Sequence, residues 1–171
     1  SAGPAPAEAL KVEAPSTATT PTKTAWSKRI DKSALTDEKS VFLSVQSENS
    51  VYCQSFGGPS TLTLNLRCME STTAAFISGQ CHVASGFHGY GEVTYRTDTD
   101  KPITREFEES TNNRSLGLWS GKKAITSIKS LLGKERVIVR FTPFNMNSME
   151  AEFKIDGLEA SLVELRETCG W

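Results

Sequence analysis

Two apolar stripes of different period each end in a cysteine, and together they limit the fold more than anything else in the chain. Over residues 60–69 the side chains alternate: Leu62, Leu64, Leu66 and Cys68 share one face, and Thr61, Thr63, Asn65 and Arg67 share the other. A two-residue period marks a half-buried strand. Near the C-terminus Leu158, Leu162, Leu165 and Cys169 recur at helical spacing, which predicts an amphipathic helix lying on a core. Both cysteines point at the core from their own elements, so a Cys68–Cys169 bridge would clamp the last helix to the sheet. Cys53 and Cys81, both on or beside expected strands, are then left to pair. Four cysteines allow three connectivities, and the facing argument favours this one. The competing reading is four buried free thiols, since cysteine also serves as a small core residue.

The cysteines also bear on compartment. The chain contains no CxxC pair, and spacings of 15, 13 and 88 residues match no zinc ribbon or finger. His82 and His88 do not complete a metal site, so neither metal nor cofactor is expected. An even number of cysteines without metal spacing points to disulfides and an oxidising compartment. A net charge of −1, from 19 basic and 20 acidic residues, gives no reason to expect nucleic acid or a polybasic membrane contact. No apolar run approaches the roughly 18–20 residues that span a bilayer. A signal peptide is not visible after Ser1, which says nothing about export.

With 171 residues the chain can build one domain with a real core. Residues 1–25 hold mostly Ala, Pro, Thr and Ser and are expected to form a disordered tail or tether, because they cannot bury enough apolar surface to offset ordering entropy. Extended at about 3 Å per residue, such a tail reaches roughly 75 Å. Residues 26–171 are expected to form a single β-rich globular domain opening at Trp26. Besides 60–69, strands are expected over 40–45, 51–56, 72–83, 93–97, 103–108 and 115–119, with a tight turn at Glu70-Ser71 and a loop over 84–91. Ala124, Ile125, Ile128, Leu131 and Leu132 predict a helix over 120–132, with Ser120 as N-cap and Gly133 just past its end. Strands over 136–141 and 149–155 place Arg136 and Arg140 opposite Glu150 and Glu152. Asp156, with Glu159 three residues on, reads as a capping-box start of the last helix. The expected fold is α+β: an antiparallel β-sandwich or strongly twisted sheet with two packed helices, stapled by disulfides.

An ordered series of motifs runs through this pattern. Trp26 is followed by Ser40-Val41-Phe42-Leu43, a TLxLxxRC-like segment over 61–68, Glu70-Ser71-Thr72-Thr73 and Val93-Thr94-Tyr95-Arg96-Thr97-Asp98. Glu109-Ser110-Thr111-Asn112, Pro143-Phe144 and the AEFKIDGL stretch over 151–158 come next, and Leu165 to Trp171 closes the series with C-x-W. Taken together, residues 26–171 resemble the VasI/TagO family, associated with bacterial type VI secretion. The resemblance implies an exported, periplasmic accessory protein with no established catalytic activity. The Cys53/Cys81 pair and the glycine-aromatic loop depart from the family pattern, and relatives also occur in prophages.

No P-loop, GxSxG, HExxH or dinucleotide fingerprint is present, and no catalytic residue is expected. Arg67, Arg96 and Arg140 form the best polar set. If their strands share a face, three guanidiniums could grip a carboxylate-bearing ligand such as a peptide terminus or cell-wall fragment. The plainer and preferred reading is a solvated face with cross-strand salt bridges. In Gly86-Phe87-His88-Gly89-Tyr90-Gly91, partner recognition by Phe87, His88 and Tyr90 competes with rings folded back on the core, and the tip 143–146 is a second such loop. The expected function is therefore non-enzymatic: a periplasmic type VI secretion accessory acting by protein–protein contact. Its partner would be an envelope or secretion-apparatus protein, with membrane contact only through a lipid anchor upstream of Ser1. The alternative is a prophage-borne or secreted envelope binder or inhibitor, directed at a lytic enzyme or an incoming phage.

Overall fold

Antiparallel pairing of chain neighbours builds most of the architecture. The computed structural model describes residues 23–53 and 57–171. Most of the expected tail, and residues 54–56 of one expected strand, lie outside the described residues. A six-stranded sheet contains β1 (Ser27–Lys32), β2 (Lys39–Gln46), β3 (Thr63–Met69), β4 (Thr72–Ser78), β7 (Glu108–Glu109) and β8 (Ser115–Leu118), in the order β1-β2-β3-β4-β8-β7. A four-stranded sheet contains β5 (Glu92–Thr97), β6 (Ile103–Glu106), β9 (Arg136–Phe141) and β10 (Met149–Lys154), in the order β10-β9-β5-β6. Helix α1 (Gly121–Leu131) packs on β4 and β8, and α2 (Leu158–Cys169) on β2 and β3.

The alternation over 60–69 becomes β3 and sets the register of its neighbours. Leu43, Leu66, Ala75 and Leu118 meet across four strands in one inward row, and Val45, Leu64, Ile77 and Leu116 form the next. Glu70 and Ser71 both take positive φ, 51° and 57°, the two-residue turn whose twist matches a hairpin. The second sheet answers with Val93, Tyr95, Val137, Val139 and Phe153, all buried. Leu64, Leu66 and Ile77 from one sheet, Val93, Tyr95, Val137 and Val139 from the other, and Ile128 and Leu131 from α1 enclose one small cavity of about 40 Å³. The two inner faces thus share a single core, and the α+β sandwich stands as expected.

Both disulfides form as the facing argument favoured: Cys68–Cys169 and Cys53–Cys81. The first joins the inward face of β3 to the end of α2. Beside it, Trp171 donates its indole N–H to Thr73 Oγ1 at 2.8 Å, Thr73 standing opposite Cys68, and ahead of α2 Trp26 donates its indole N–H to the Ile155 carbonyl at 3.2 Å.

Several boundaries differ from expectation. Strand β1 was not foreseen; all six of its residues are exposed, so no apolar period exists to announce it, and its order comes from backbone pairing with β2. Of the strand expected over 51–56, the described residues 51–53 contribute a single bridge, between Val51 and Ser60. The one expected over 72–83 stops at Ser78, after which Val83 N–H bonds the Asn113 carbonyl instead of continuing the ladder. The segment over 103–108 splits between sheets: β6 joins the small one and β7 the large one, and buried Phe107 sits at the crossing with its N–H on the Gly91 carbonyl. The capping box at Asp156 does not form; Gly157, at φ 79°, is the N-cap of α2 and makes no side-chain cap bond. A Cβ there would lie 2.2 Å from Thr24 Cγ2, so packing, not capping chemistry, sets that helix start. Ser120 holds the N-cap position of α1, also without a side-chain bond.

Candidate functional site

The loop over 84–91 is held at its base and open at its tip. Val83 and Ala84 are buried, and Gly91 lies at φ 91° against the Phe107 carbonyl. Between these anchors His88 and Gly89 also take positive φ, a tight fold that turns the rings outward. Phe87 and His88 are exposed and Tyr90 is half-buried. A second loop, between β9 and β10, comes down beside the first: Phe144 N–H bonds the His82 carbonyl at 2.9 Å, and Asn145 N–H donates to the Tyr90 hydroxyl at 3.1 Å.

The two loops therefore form one surface. Its rings touch in sequence: His82 to Phe144 at 5.3 Å, Phe144 to Tyr90 at 5.6 Å, Tyr90 to Phe87 at 5.3 Å and Phe87 to His88 at 5.6 Å. Centroid spacings of this size suit edge-to-face aromatic packing. Tyr52 is 65% exposed, and it joins Tyr90, Asn145, Met146 and Met149 around an open cleft of about 630 Å³. The Cys53–Cys81 bridge ties the Tyr52 segment to the His82 segment, so the disulfide frames this surface. The sequence reading brought forward Phe87, His88 and Tyr90 and noted the 143–146 tip. It missed Tyr52 and His82, although each stands beside a cysteine of the favoured pair, and that adjacency was the available signal.

The three arginines do not come together. Arg96 and Arg140 lie on the outer face of the four-stranded sheet, around a shallow cleft with Ile138 and Pro102. Arg140 is already held by Glu150, its Nη2 2.6 Å from the carboxylate, and Arg96 donates to the Thr99 carbonyl. Arg136 likewise pairs with Glu152 and Glu48. This is the solvated face with salt bridges that the sequence reading preferred.

Arg67 lies on the opposite outer face, that of the six-stranded sheet, because β3 belongs to that sheet and β5 and β9 to the other. Its guanidinium carbon is 5.1 Å from the Phe76 ring centre and 5.6 Å from that of Trp119. Those rings stack on each other at 5.0 Å. Burial lowers the Arg67 pKa, and nearby Glu70 opposes the shift only in part. Among the described residues, no group of three or more His, Cys, Asp or Glu side chains could hold a metal ion, and no helix is long and apolar enough to cross a membrane.

Comparison with known proteins agrees with this architecture. A search of curated proteins finds no match. Among solved structures, invasion associated protein B from Bartonella henselae superposes with a TM-score of 0.54 at 11% identity, over 88% of this chain and 97% of that one. At that identity the likeness concerns the fold. The family model described as Type VI secretion system VasI, EvfG, VC_A0118 matches residues 5–171. With nearly its whole length matched, the chain belongs to the type VI secretion-associated VasI family.

Proposed function

We propose that the protein is a non-enzymatic accessory of type VI secretion that acts in the periplasm by binding another protein through the aromatic loop surface. One observation carries this reading: four rings from two loops and the adjoining His82 ring form a continuous chain, while Phe87 and Phe144 remain 48% and 42% exposed. Exposed aromatic anchors on a rigid support are what protein interfaces use, and truncating such an anchor costs on the order of 2 kcal/mol or more. The support is rigid here because a disulfide and main-chain hydrogen bonds fix both loops, so little ordering entropy opposes binding. Two disulfides favour an oxidising compartment, in keeping with the periplasm.

The test is capture from periplasmic extract of a strain with an active type VI system. Wild-type bait should retain an envelope or secretion-apparatus protein. The doubly substituted bait, Phe87→Ser with Phe144→Ser, should lose at least tenfold of it while melting at the wild-type temperature. Equal capture by both baits sinks the loop surface as the contact. Purified protein should release no soluble fragments from peptidoglycan; release that His88→Ala abolishes would overturn the non-enzymatic reading.

A further inference from the structure

The loop surface does not account for the surroundings of Arg67. It stands in the middle of β3, with Phe42 opposite it on β2 and Ala74 opposite it on β4. Arg29 lies over the Phe42 ring at 4.3 Å, so cations and rings alternate across this outer face. Arg29 has a counter-charge in Asp31 at 3.2 Å. Arg67 feels Glu70 only from a distance: among the described residues it makes no ion pair, and its buried Nε donates to nothing. A half-buried cation without an acceptor is costly, and attraction to two ring faces offsets only part of that cost.

The rings have been given room to be there. Gly117 sits under them, and a Cβ at that position would lie 2.7 Å from Phe76 Cβ and 2.8 Å from the Trp119 ring. Trp119 is further fixed by its indole N–H on the Glu108 carbonyl at 2.9 Å. Beside this stack opens a cleft of about 420 Å³, walled by Arg67, Phe76 and Trp119 and rimmed by Ser110, Thr111 and Asn112. The Asn112 carboxamide oxygen is taken by Ser110 Oγ and Arg114 N–H, and its NH₂ group has no partner among the described residues. Glu109 also borders the cleft, but it lies opposite inward-facing Leu116 and its carboxylate accepts from Ser85 Oγ.

We propose that this cleft binds the free C-terminal carboxylate of a peptide, with the Arg67 fork on the carboxylate and the Phe76–Trp119 wall on the last side chains. A single planar fork matches a singly charged carboxylate. A phosphate would bring more charge than one arginine neutralises, next to Glu70 and Glu109. The cleft is also larger than a bare carboxylate needs and falls in the usual range for small ligands, about 300–1,000 Å³. The site uses none of the rings of the aromatic loops, although its Glu109 is bonded to Ser85 at the base of one of them, and it does not rest on their role.

The experiment follows the Arg67 Nε–H and Trp119 Nε1–H signals of nitrogen-15-labelled protein by NMR. The probes are a mixture of acetylated tripeptides randomised at every position, as free acids and as C-terminal amides, with acetate and inorganic phosphate as separate arms. The free acids should shift both signals saturably in the millimolar range or below. The amides should act at least tenfold more weakly, acetate more weakly than the tripeptides, and phosphate not at all. Arg67→Lys keeps the charge but loses the fork and should weaken the free acids at least tenfold. Equal shifts by acid and amide, acetate as strong as the tripeptides, stronger binding of phosphate, or no saturation with any probe up to tens of millimolar would each overturn the proposal. The acid–amide contrast needs no variant, so it decides the matter even if Arg67→Lys fails to fold.

Discussion

Single residues in this protein are chosen less by what they touch than by what would not fit. Gly91 ends the aromatic loop at φ 91°, and a Cβ there would fall 2.6 Å from the Phe107 carbonyl oxygen and from Ser85 Cβ. Neither the backbone angle nor the space allows a side chain. Gly91→Ala should therefore cost about 2–3 kcal/mol, combining left-handed strain with overpacking. Chemical denaturation measures that loss, and a change below about half a kcal/mol would mean the loop relaxes freely. The residues of the loop surface divide by the same logic. Phe87, His88 and Tyr90 were legible in the sequence because glycines surround them. Tyr52 was not, because a lone tyrosine carries no local sign of exposure and reaches the surface cleft only through the fold.

Elements were legible where one of their faces is buried. Strands β2, β3, β5 and β9 alternate in sequence because one side meets the core and the other meets water. Strand β1 has water on both sides, so its sequence, SKRIDK, has no period. Its charges also discourage pairing with another chain along the free edge. On the surface, Glu164 of α2 adds charge contacts to β2 and β1: its carboxylate meets Lys39 at 3.0 Å and Lys28 at 3.5 Å. The Lys39 hydrogen bond chiefly lowers the Glu164 pKa, with Lys28 adding to the effect. A carboxyl whose folded pKa is depressed adds stability above its unfolded pKa and loses it as pH falls through the folded one. Glu164→Gln should thus flatten part of the acid-side loss in denaturation midpoint, measured from neutral pH down through the carboxylate range. An unchanged pH profile would show that the exposed pair contributes nothing, as surface ion pairs often do.

For the molecule as a whole, the two disulfides differ in reach. Cys68–Cys169 spans 101 residues and Cys53–Cys81 spans 28. On the chain-entropy model the longer closure stabilises by about 4.7 kcal/mol and the shorter by about 3.6, against a total stability of roughly 5–15 kcal/mol for a domain of this kind. Replacing Cys68 and Cys169 together by Ala should lower the denaturation midpoint more than replacing Cys53 and Cys81. The second pair should instead weaken partner capture more, because it frames the aromatic surface. The reverse order in stability would show that native packing around each bridge outweighs loop length. Periodicity alone was enough to assign the inward rows of β3, β9 and β10, the stripe of α2 and, through them, the preferred disulfide pairing. Each of these follows from one face meeting water and the other not, a distinction written into neighbouring residues. Tertiary structure alone decided that Arg67 stands apart from Arg96 and Arg140, that the segment around Phe107 changes sheets, and that two loops more than fifty residues apart share one aromatic surface. Those outcomes depend on which sheet a strand joins, a property of the assembled chain that no local pattern encodes.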